Sequence, residues 1–177
     1  VLTSRGLGDV YKRQVSRNNM INFGMIGCGY WGKNIARNIY QNGDCNLSHI
    51  SDLNESNLSY INKNYPNTKT TLNADEVFKN TDLDIVGIFT PPKTHYKLIM
   101  KALENDKHVL VTKPLCLSVS EAEKIKVTSE KKQLRVFLDD TFSCNLSALQ
   151  NYSHIFNCLF YGDYKFNKSK KFYNIFN

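Results

Sequence analysis

A glycine-rich segment near the start of the chain has the spacing of a phosphate-binding loop. It reads Gly27-Cys28-Gly29-Tyr30-Trp31-Gly32, a G-x-G-x-x-G pattern that follows the apolar run Ile21–Ile26 and precedes a helical pattern. In such a loop the first glycine permits a tight turn, the second lets the backbone approach a pyrophosphate, and the third lets helix and strand pack closely. The N–H groups at the start of the helix then bind the phosphates. The pattern therefore predicts that residues 27–32 bind a dinucleotide.

A carboxylate stands where such sites bind the adenosine ribose. Asp52 directly follows the apolar run Leu47–Ser51 and lies twenty residues after Gly32. An acid at this spacing accepts hydrogen bonds from the ribose hydroxyls and repels a 2′-phosphate, which favours NAD over NADP as the cofactor. The alternative is an aspartate that only shapes the turn before Asn54.

Strand-sized apolar runs alternate with helical patterns from residue 20 to about residue 140. The predicted strands are Ile21–Ile26, Leu47–Ser51, Ile85–Phe89, His108–Thr112 and Val136–Leu138. The predicted helices carry Trp31, Ile35 and Ile39 on one stripe, span Asn54–Asn64, start at Asn73, span His95–Glu104, and run from Ser118 to about Lys132. Apolar residues four apart and polar caps indicate these helices. The alternation predicts an α/β fold of Rossmann type, a doubly wound parallel sheet with right-handed crossovers.

Three further segments accompany the glycine-rich loop. They are Thr90–His95 (TPPKTH), Lys107–Leu115 (KHVLVTKPL) and Val136–Phe142 (VFLDDTF). With residues 27–32, they resemble the oxidoreductase family of glucose–fructose oxidoreductase, inositol dehydrogenase and the rhizopine-catabolism proteins (Gfo/Idh/MocA). The resemblance implies an NAD(P)-binding Rossmann domain over residues 20–142. It further implies a linker helix and the first strand of an incomplete C-terminal α+β substrate domain over residues 143–177.

The resemblance also implies a nicotinamide end for the site. It places Phe89, Thr90, Pro91 and His95, at and after the end of one predicted strand, along the cofactor. For His95 a second interpretation stays open, in which the side chain faces solvent at the start of a helix.

A lysine follows the His108–Thr112 strand. Thr112-Lys113-Pro114 is similar to the family's Glu-Lys-Pro segment, which implies that these residues lie beside the nicotinamide ribose and that Lys113 is catalytic. A lysine at the carboxyl end of a parallel strand stands where α/β sheets bind ligands, and its ammonium would polarise an oxygen during hydride transfer. Thr112 replaces the family's glutamate, so a carboxylate that would orient the lysine is missing. The alternative is a solvated lysine at a strand end.

The net charge of +7 resides at the two ends of the chain. Residues 1–19 carry +3 and residues 164–177 carry +4, so residues 20–163 are neutral and a basic nucleic-acid-binding face is not supported. Asp9–Gln14 (DVYKRQ) resembles the translation of a transposon end used in sequencing libraries, and Met20 would then be the native start. The alternative is a natural, flexible basic arm over residues 1–19.

Composition narrows the class of protein further. No apolar run approaches the roughly 18 residues of a membrane span, and the five cysteines show neither a CxxC pair nor metal-ligand spacing. Reduced thiols are typical of a cytoplasmic protein. We expect no metal, no membrane and no nucleic-acid partner.

Two functions follow. The first is an NAD-dependent dehydrogenase fragment, inactive alone, whose intact form is a homo-oligomer that oxidises a secondary alcohol of a sugar, nucleotide-sugar or cyclitol. The second is a non-catalytic dinucleotide-binding module, a sensor or partner subunit.

Overall fold

The computed structural model describes residues 20–139, in which strands and helices alternate. The strands are β1 (Ile21–Ile26), β2 (Cys45–Ser51), β3 (Lys69–Thr71), β4 (Ile85–Ile88), β5 (His108–Thr112) and β6 (Val136–Asp139). The helices are α1 (Tyr30–Gln41), α2 (Glu55–Asn64), α3 (Ala74–Lys79), α4 (Pro92–Glu104) and α5 (Val119–Lys132). The predictions for residues 1–19 and 140–177, including the linker helix and the start of a second domain, lie outside the described residues.

The strands form one six-stranded parallel sheet in the order β3-β2-β1-β4-β5-β6. From β1 the chain proceeds outward to β3 and then crosses to β4, on the other side of β1. The topological switch point, where this fold binds ligands, therefore lies between β1 and β4. The predicted α/β fold of Rossmann type is confirmed.

Apolar side chains cover both faces of the sheet, which explains why the central strands are continuous apolar runs. Alternate residues of β4 point to opposite faces, so Ile85 joins one buried cluster and Val86 the other. One cluster packs beneath α1 and α2 and includes Phe23, Met25, Ile39 and Ile61. The other packs beneath α3, α4 and α5 and includes Phe78, Ile99, Val111 and Ile125. These two cores hold the strand ends in place.

The predicted start of α4 differs from the observed one, and one strand was not predicted. Helix α4 begins at Pro92, three residues before the predicted start, because proline is well suited to a first helical position. Strand β3 was not predicted, since its sequence, Lys-Thr-Thr, contains no apolar residue. The caps at Asn73 and Ser118 are present, with their side-chain oxygens accepting from the N–H groups of Asp75 and Glu121.

Within the described part of the chain, no helix is long and apolar enough to cross a bilayer. Residues 20–139 also contain no group of three His, Cys, Asp or Glu side chains that is arranged to hold a metal ion.

Candidate dinucleotide-binding site

The carboxyl ends of four neighbouring strands meet in register at one edge of the sheet. Ser51 of β2 pairs with Ile26 of β1, Ile26 pairs with Ile88 of β4, and Ile88 pairs with Val111 of β5. The sequence-predicted residues occupy these ends: residues 27–32 after β1, Asp52 after β2, residues 89–91 after β4, and residues 112–114 at the end of β5. The fold therefore gathers residues from distant parts of the sequence along one edge.

Gly27 and Gly32 allow the turn between β1 and α1 to be very tight. Gly27 adopts φ +88°, a conformation that side chains disfavour, and a Cβ there would lie 2.6 Å from Phe89 O. A Cβ at Gly32 would lie 2.4 Å from Gly27 O. Because both contacts are with backbone atoms, neither position can accept a side chain without movement of the loop.

Gly29 has a different environment, since a Cβ there would meet nothing within 4 Å. It precedes α1 in extended conformation and provides no side-chain cap. The first intrahelical bond runs from Lys33 N–H to Gly29 O, so the N–H groups of Tyr30, Trp31 and Gly32 precede the helical ladder. Open space beside a helix N-terminus fits the pyrophosphate of a dinucleotide.

The Asp52 carboxylate joins the end of β2 to this loop. Its Oδ2 accepts from Cys28 N–H at 2.7 Å, and its Oδ1 accepts from Asn54 N–H at 2.8 Å. Burial alone would raise the pKa of Asp52, but hydrogen bonds from these two N–H groups and from the Asn57 side chain outweigh burial and lower it. Asp52 is therefore ionised at neutral pH. The turn before Asn54, considered as an alternative role, is present together with the contact to the loop.

Cys28 lies beneath the loop rather than on its surface. The residue is fully buried, and its N–H is the donor to Asp52. Burial and then the neighbouring Asp52 carboxylate raise the pKa of the Cys28 thiol to about 12. Its burial does not support the predicted contact between Cys28 and a cofactor.

Three large side chains near the same edge are exposed. Tyr30 and Trp31, in the first turn of α1, are 73 % and 44 % exposed and pack edge to face. Leu53, directly after Asp52, is 93 % exposed. The sequence predicted the first two as site residues but not Leu53, for which the position directly after Asp52 was the available signal.

The loop between β4 and α4 is fixed by its own hydrogen bonds. Phe89 is buried, and its N–H donates to Ile26 O of the neighbouring strand at 2.8 Å. Thr94 Oγ1 lies 2.7 Å from Thr90 Oγ1 and donates to Pro91 O at 2.7 Å. Thr94 was not singled out from the sequence, although a threonine three residues after Pro91 is spaced to cap this turn.

His95 is not a solvent-facing helix residue, so that alternative is wrong. The residue is fully buried, with Nε2 at 2.7 Å from Thr90 O and Nδ1 at 2.7 Å from Pro114 O. With no exposed surface, the ring also offers no contact to a cofactor in this structure. Sequence patterns could not reveal this, because Pro114 approaches His95 only through tertiary packing.

Lys113 lies directly after β5. It is half-buried, as are Thr112 and the neighbouring Leu115, and the Lys113–Pro114 peptide bond is cis. Thr112 pairs with Asp139 of β6, so the lysine emerges at the same edge as the glycine-rich loop. This position allows an ammonium group to contact a ligand held over β4 and β5.

An open parallel sheet, a switch point, a glycine-rich loop and an acid after the second strand define a dinucleotide-binding protein of Rossmann type. The chain matches the Gfo/Idh/MocA model, which describes an oxidoreductase family with an NAD-binding Rossmann fold, over residues 21–139. The chain belongs to this family, and the resemblance inferred from its motifs is confirmed.

The chain is similar to several named proteins. It is 38 % identical over 86 residues to the uncharacterised oxidoreductase YfiI of Bacillus subtilis, covering 49 % of this chain and 22 % of the relative. It is 26 % identical over 114 residues to myo-inositol 2-dehydrogenase of Thermotoga maritima, covering 64 % of this chain and 34 % of that enzyme. The chain thus spans between a fifth and about a third of the length of these relatives.

Solved structures share the fold. The apo scyllo-inositol dehydrogenase of Lactobacillus casei superposes with a TM-score of 0.64 at 25 % identity, covering 68 % of this chain and 36 % of that one. GenD2 of gentamicin A biosynthesis, in complex with NAD, and KijD10 of Actinomadura kijaniata, in complex with NADP, each share 20 % identity with TM-scores of 0.65 and 0.64. They cover 68 % of this chain and 34 % and 37 % of their own. Because the neighbours include both cofactors, the fold alone does not distinguish NAD from NADP.

Proposed function

We propose that this chain binds NAD in preference to NADP and forms the cofactor-binding part of a dehydrogenase. The observation that carries the proposal is the ionised Asp52 carboxylate, which hydrogen-bonds to the glycine-rich loop at 2.7 Å. A carboxylate in this place accepts from the 2′- and 3′-hydroxyls of an adenosine ribose and repels a 2′-phosphate.

The described residues fit the parts of such a cofactor in order along the edge. Asp52 takes the adenosine ribose, and the open space at Gly29 beside the start of α1 takes the pyrophosphate. The loops after β4 and β5, with Thr90 and Lys113, then take the nicotinamide half, because the two halves of this fold bind the two mononucleotides. When bound, the nicotinamide supplies the hydride acceptor or donor.

We propose Lys113 as the catalytic residue within the chain. Its ammonium would donate a hydrogen bond to the oxygen of a substrate alcohol or carbonyl, where negative charge increases during the reaction. Thr112 carries no charge, so it cannot form the ion pair with Lys113 that a glutamate at this position would form. We further propose that the remaining catalytic groups belong to a second domain, so that residues 1–177 alone do not turn over substrate.

The substrate class follows from the relatives rather than from the described residues. The names myo-inositol 2-dehydrogenase and scyllo-inositol dehydrogenase support a secondary alcohol of a cyclitol, sugar or nucleotide-sugar. We propose that the intact protein acts in the cytoplasm as a homo-oligomer. No nucleic-acid or membrane partner is proposed.

The first experiment is a titration of the purified chain with NADH and with NADPH. Trp31 is the single tryptophan and lies at the second residue of α1, so its emission, which overlaps NADH absorbance, reports binding at the site. We expect saturable quenching with NADH at lower concentration than with NADPH. The Trp31→Phe variant, followed by the fluorescence of bound NADH, separates binding from inner-filter effects. Equal affinity for the two cofactors would contradict the assignment of Asp52, and no binding by a folded chain would contradict the proposal.

A further inference from the structure

His95 connects the two loops that border the proposed nicotinamide half of the site. Its ring is fully buried at the start of α4, beneath the carboxyl edge of the sheet. Nε2 lies 2.7 Å from Thr90 O, in the loop that follows β4. Nδ1 lies 2.7 Å from Pro114 O, in the loop that follows β5. One side chain therefore spans the ends of two neighbouring strands.

The two contacts of the His95 ring fix the positions of both loops relative to α4. Both partners are backbone carbonyl oxygens, which accept from a ring N–H group. Both contacts are at hydrogen-bond distance, and the ring is fully buried. A hydrogen bond in the low dielectric of a buried position is electrostatically stronger than one in water.

The contacts hold two different loops to one helix. On the β4 side, Thr94 of the same helix already binds Pro91 O, so the Thr90–Pro91 turn is attached to α4 by several bonds. On the β5 side, the bond from Nδ1 reaches Pro114, the residue next to Lys113. His95 thus sets the position of the Lys113–Pro114 segment relative to the Thr90–Pro91 turn.

We propose that His95 is a positioning residue that holds Lys113 and the β4 loop at the spacing the nicotinamide half of the cofactor requires. The proposal rests on the proposed function, because it needs a dinucleotide that extends from Asp52 to the β5 end. His95 acts on the cofactor through the two loops and not by direct contact. The adenosine half, held by Gly29 and Asp52 on the other side of the switch point, does not depend on it.

The test uses two substitutions that each keep one donor. In His95→Asn the side-chain amide nitrogen stands near the former Nδ1, so it keeps the bond to Pro114 O. In His95→Gln the amide nitrogen stands near the former Nε2, so it keeps the bond to Thr90 O and loses the bond to Pro114 O. His49→Gln is the matched control, because His49 lies within β2 and bonds Ser48 and Asn80, away from these loops.

The readout compares NADH with ADP, which contains only the adenosine and phosphate part. We expect His95→Gln to weaken NADH binding by about tenfold, equivalent to about 1.4 kcal/mol, and to leave ADP binding unchanged. His95→Asn should recover most of the NADH affinity, and His49→Gln should match the unsubstituted chain for both ligands. Thermal unfolding of each variant establishes that the folded chain is being titrated.

Other outcomes overturn the inference in recognisable ways. Equal weakening of NADH and ADP by His95→Gln would mean that the ring only supports folding, and no change in either would mean that the loops need no such connection. Failure of the unsubstituted chain to bind both ligands would instead refute the proposed function, and the inference with it. If both variants unfold, NMR of the wild-type chain labelled at histidine provides the test. Ring signals of His95 whose chemical shifts change with NADH and not with ADP support the inference. Signals that stay unchanged overturn it.

Discussion

Substitution of Asp52 by asparagine tests whether the carboxylate selects the cofactor. The change keeps the size of the side chain but removes its charge and replaces one acceptor oxygen by a donor. Both carboxylate oxygens accept from backbone N–H groups, Oδ2 from Cys28 and Oδ1 from Asn54. An amide can satisfy only one of these donors, so Asp52→Asn weakens the connection to the glycine-rich loop as well as any contact to a ribose.

The expected magnitude follows from the hydrogen bonds of a charged acceptor. One such bond contributes about 1.5–3 kcal/mol, and about 1.4 kcal/mol corresponds to tenfold in Kd. Loss of one bond from a ribose hydroxyl should therefore raise the Kd for NADH by roughly 10–100-fold. NADPH gains from removal of the negative charge, so the ratio of the two affinities should approach one.

The same variant has a pH-dependent effect on stability. Because the pKa of Asp52 is lowered in the folded chain, the ionised carboxylate stabilises the fold above the usual value of 3.8. This contribution is lost as the pH falls below 3.8 and through the lower folded pKa. At pH 7 the donor left without an acceptor should cost about 1–2 kcal/mol, since the group is partly exposed. The free energy of unfolding of the two chains should converge in acid.

The assay pairs NADH and NADPH titrations with urea unfolding between acid and neutral pH. Asp106→Asn is the matched control for the cofactor titrations, because Asp106 lies before β5 at the opposite edge, and asparagine tolerates its positive φ of 57°. A folded Asp52→Asn chain that keeps the NADH preference of the wild type would refute the reasoning. A stability difference that persists unchanged below pH 3.8 would refute the account of the depressed pKa.

Two further predictions concern the glycine-rich loop and the buried cysteines. Gly29→Ala should fold normally, since its Cβ meets nothing within 4 Å. It should weaken NADH binding by about tenfold, because the added methyl group occupies the space through which the pyrophosphate approaches the backbone. Gly43→Ala is the control, because a Cβ there also meets nothing within 4 Å, and it should bind NADH as the wild type does. Burial raises the pKa of the Cys28 and Cys45 thiols to about 12, so alkylation by iodoacetamide at about pH 8 should be roughly a thousandfold slower than in the urea-denatured chain by peptide mass spectrometry. Comparable rates in the native and denatured chains would contradict that burial.

The sequence predicted the order and type of most elements because the core is apolar on both faces of a parallel sheet. β1 and β5 have the predicted bounds, Ile21–Ile26 and His108–Thr112, since β1 is a mainly apolar run that ends at a glycine and β5 is an apolar run flanked by lysines. β3 could not be found in this way, because it is a three-residue edge strand whose polar side chains leave no hydrophobic period. Its position is set by pairing with β2 and not by its own composition.

Prediction of the site succeeded where one local motif carries the chemistry and failed where tertiary contacts decide. The tight turn at Gly27 could be inferred from spacing alone, and it has the positive φ expected of a glycine turn. The burial of Cys28 could not be inferred, because it depends on the approach of Asp52 from the next strand. The solvent-facing alternative for His95 was wrong, and its burial could not be inferred, since its two carbonyl partners come from different strand ends.

These contacts form a continuous connection across the carboxyl edge of the sheet. Asp52 binds the loop after β1 through Cys28 N–H, and that loop packs against Phe89 O at the position of Gly27. Phe89 leads into Thr90, whose carbonyl is joined to the β5 loop through His95. Four strand ends are thus fixed to one another by protein groups alone. A site fixed in this way loses little conformational entropy when a ligand binds. A cofactor-binding domain needs this property if Lys113 is to keep a constant position in the proposed nicotinamide site.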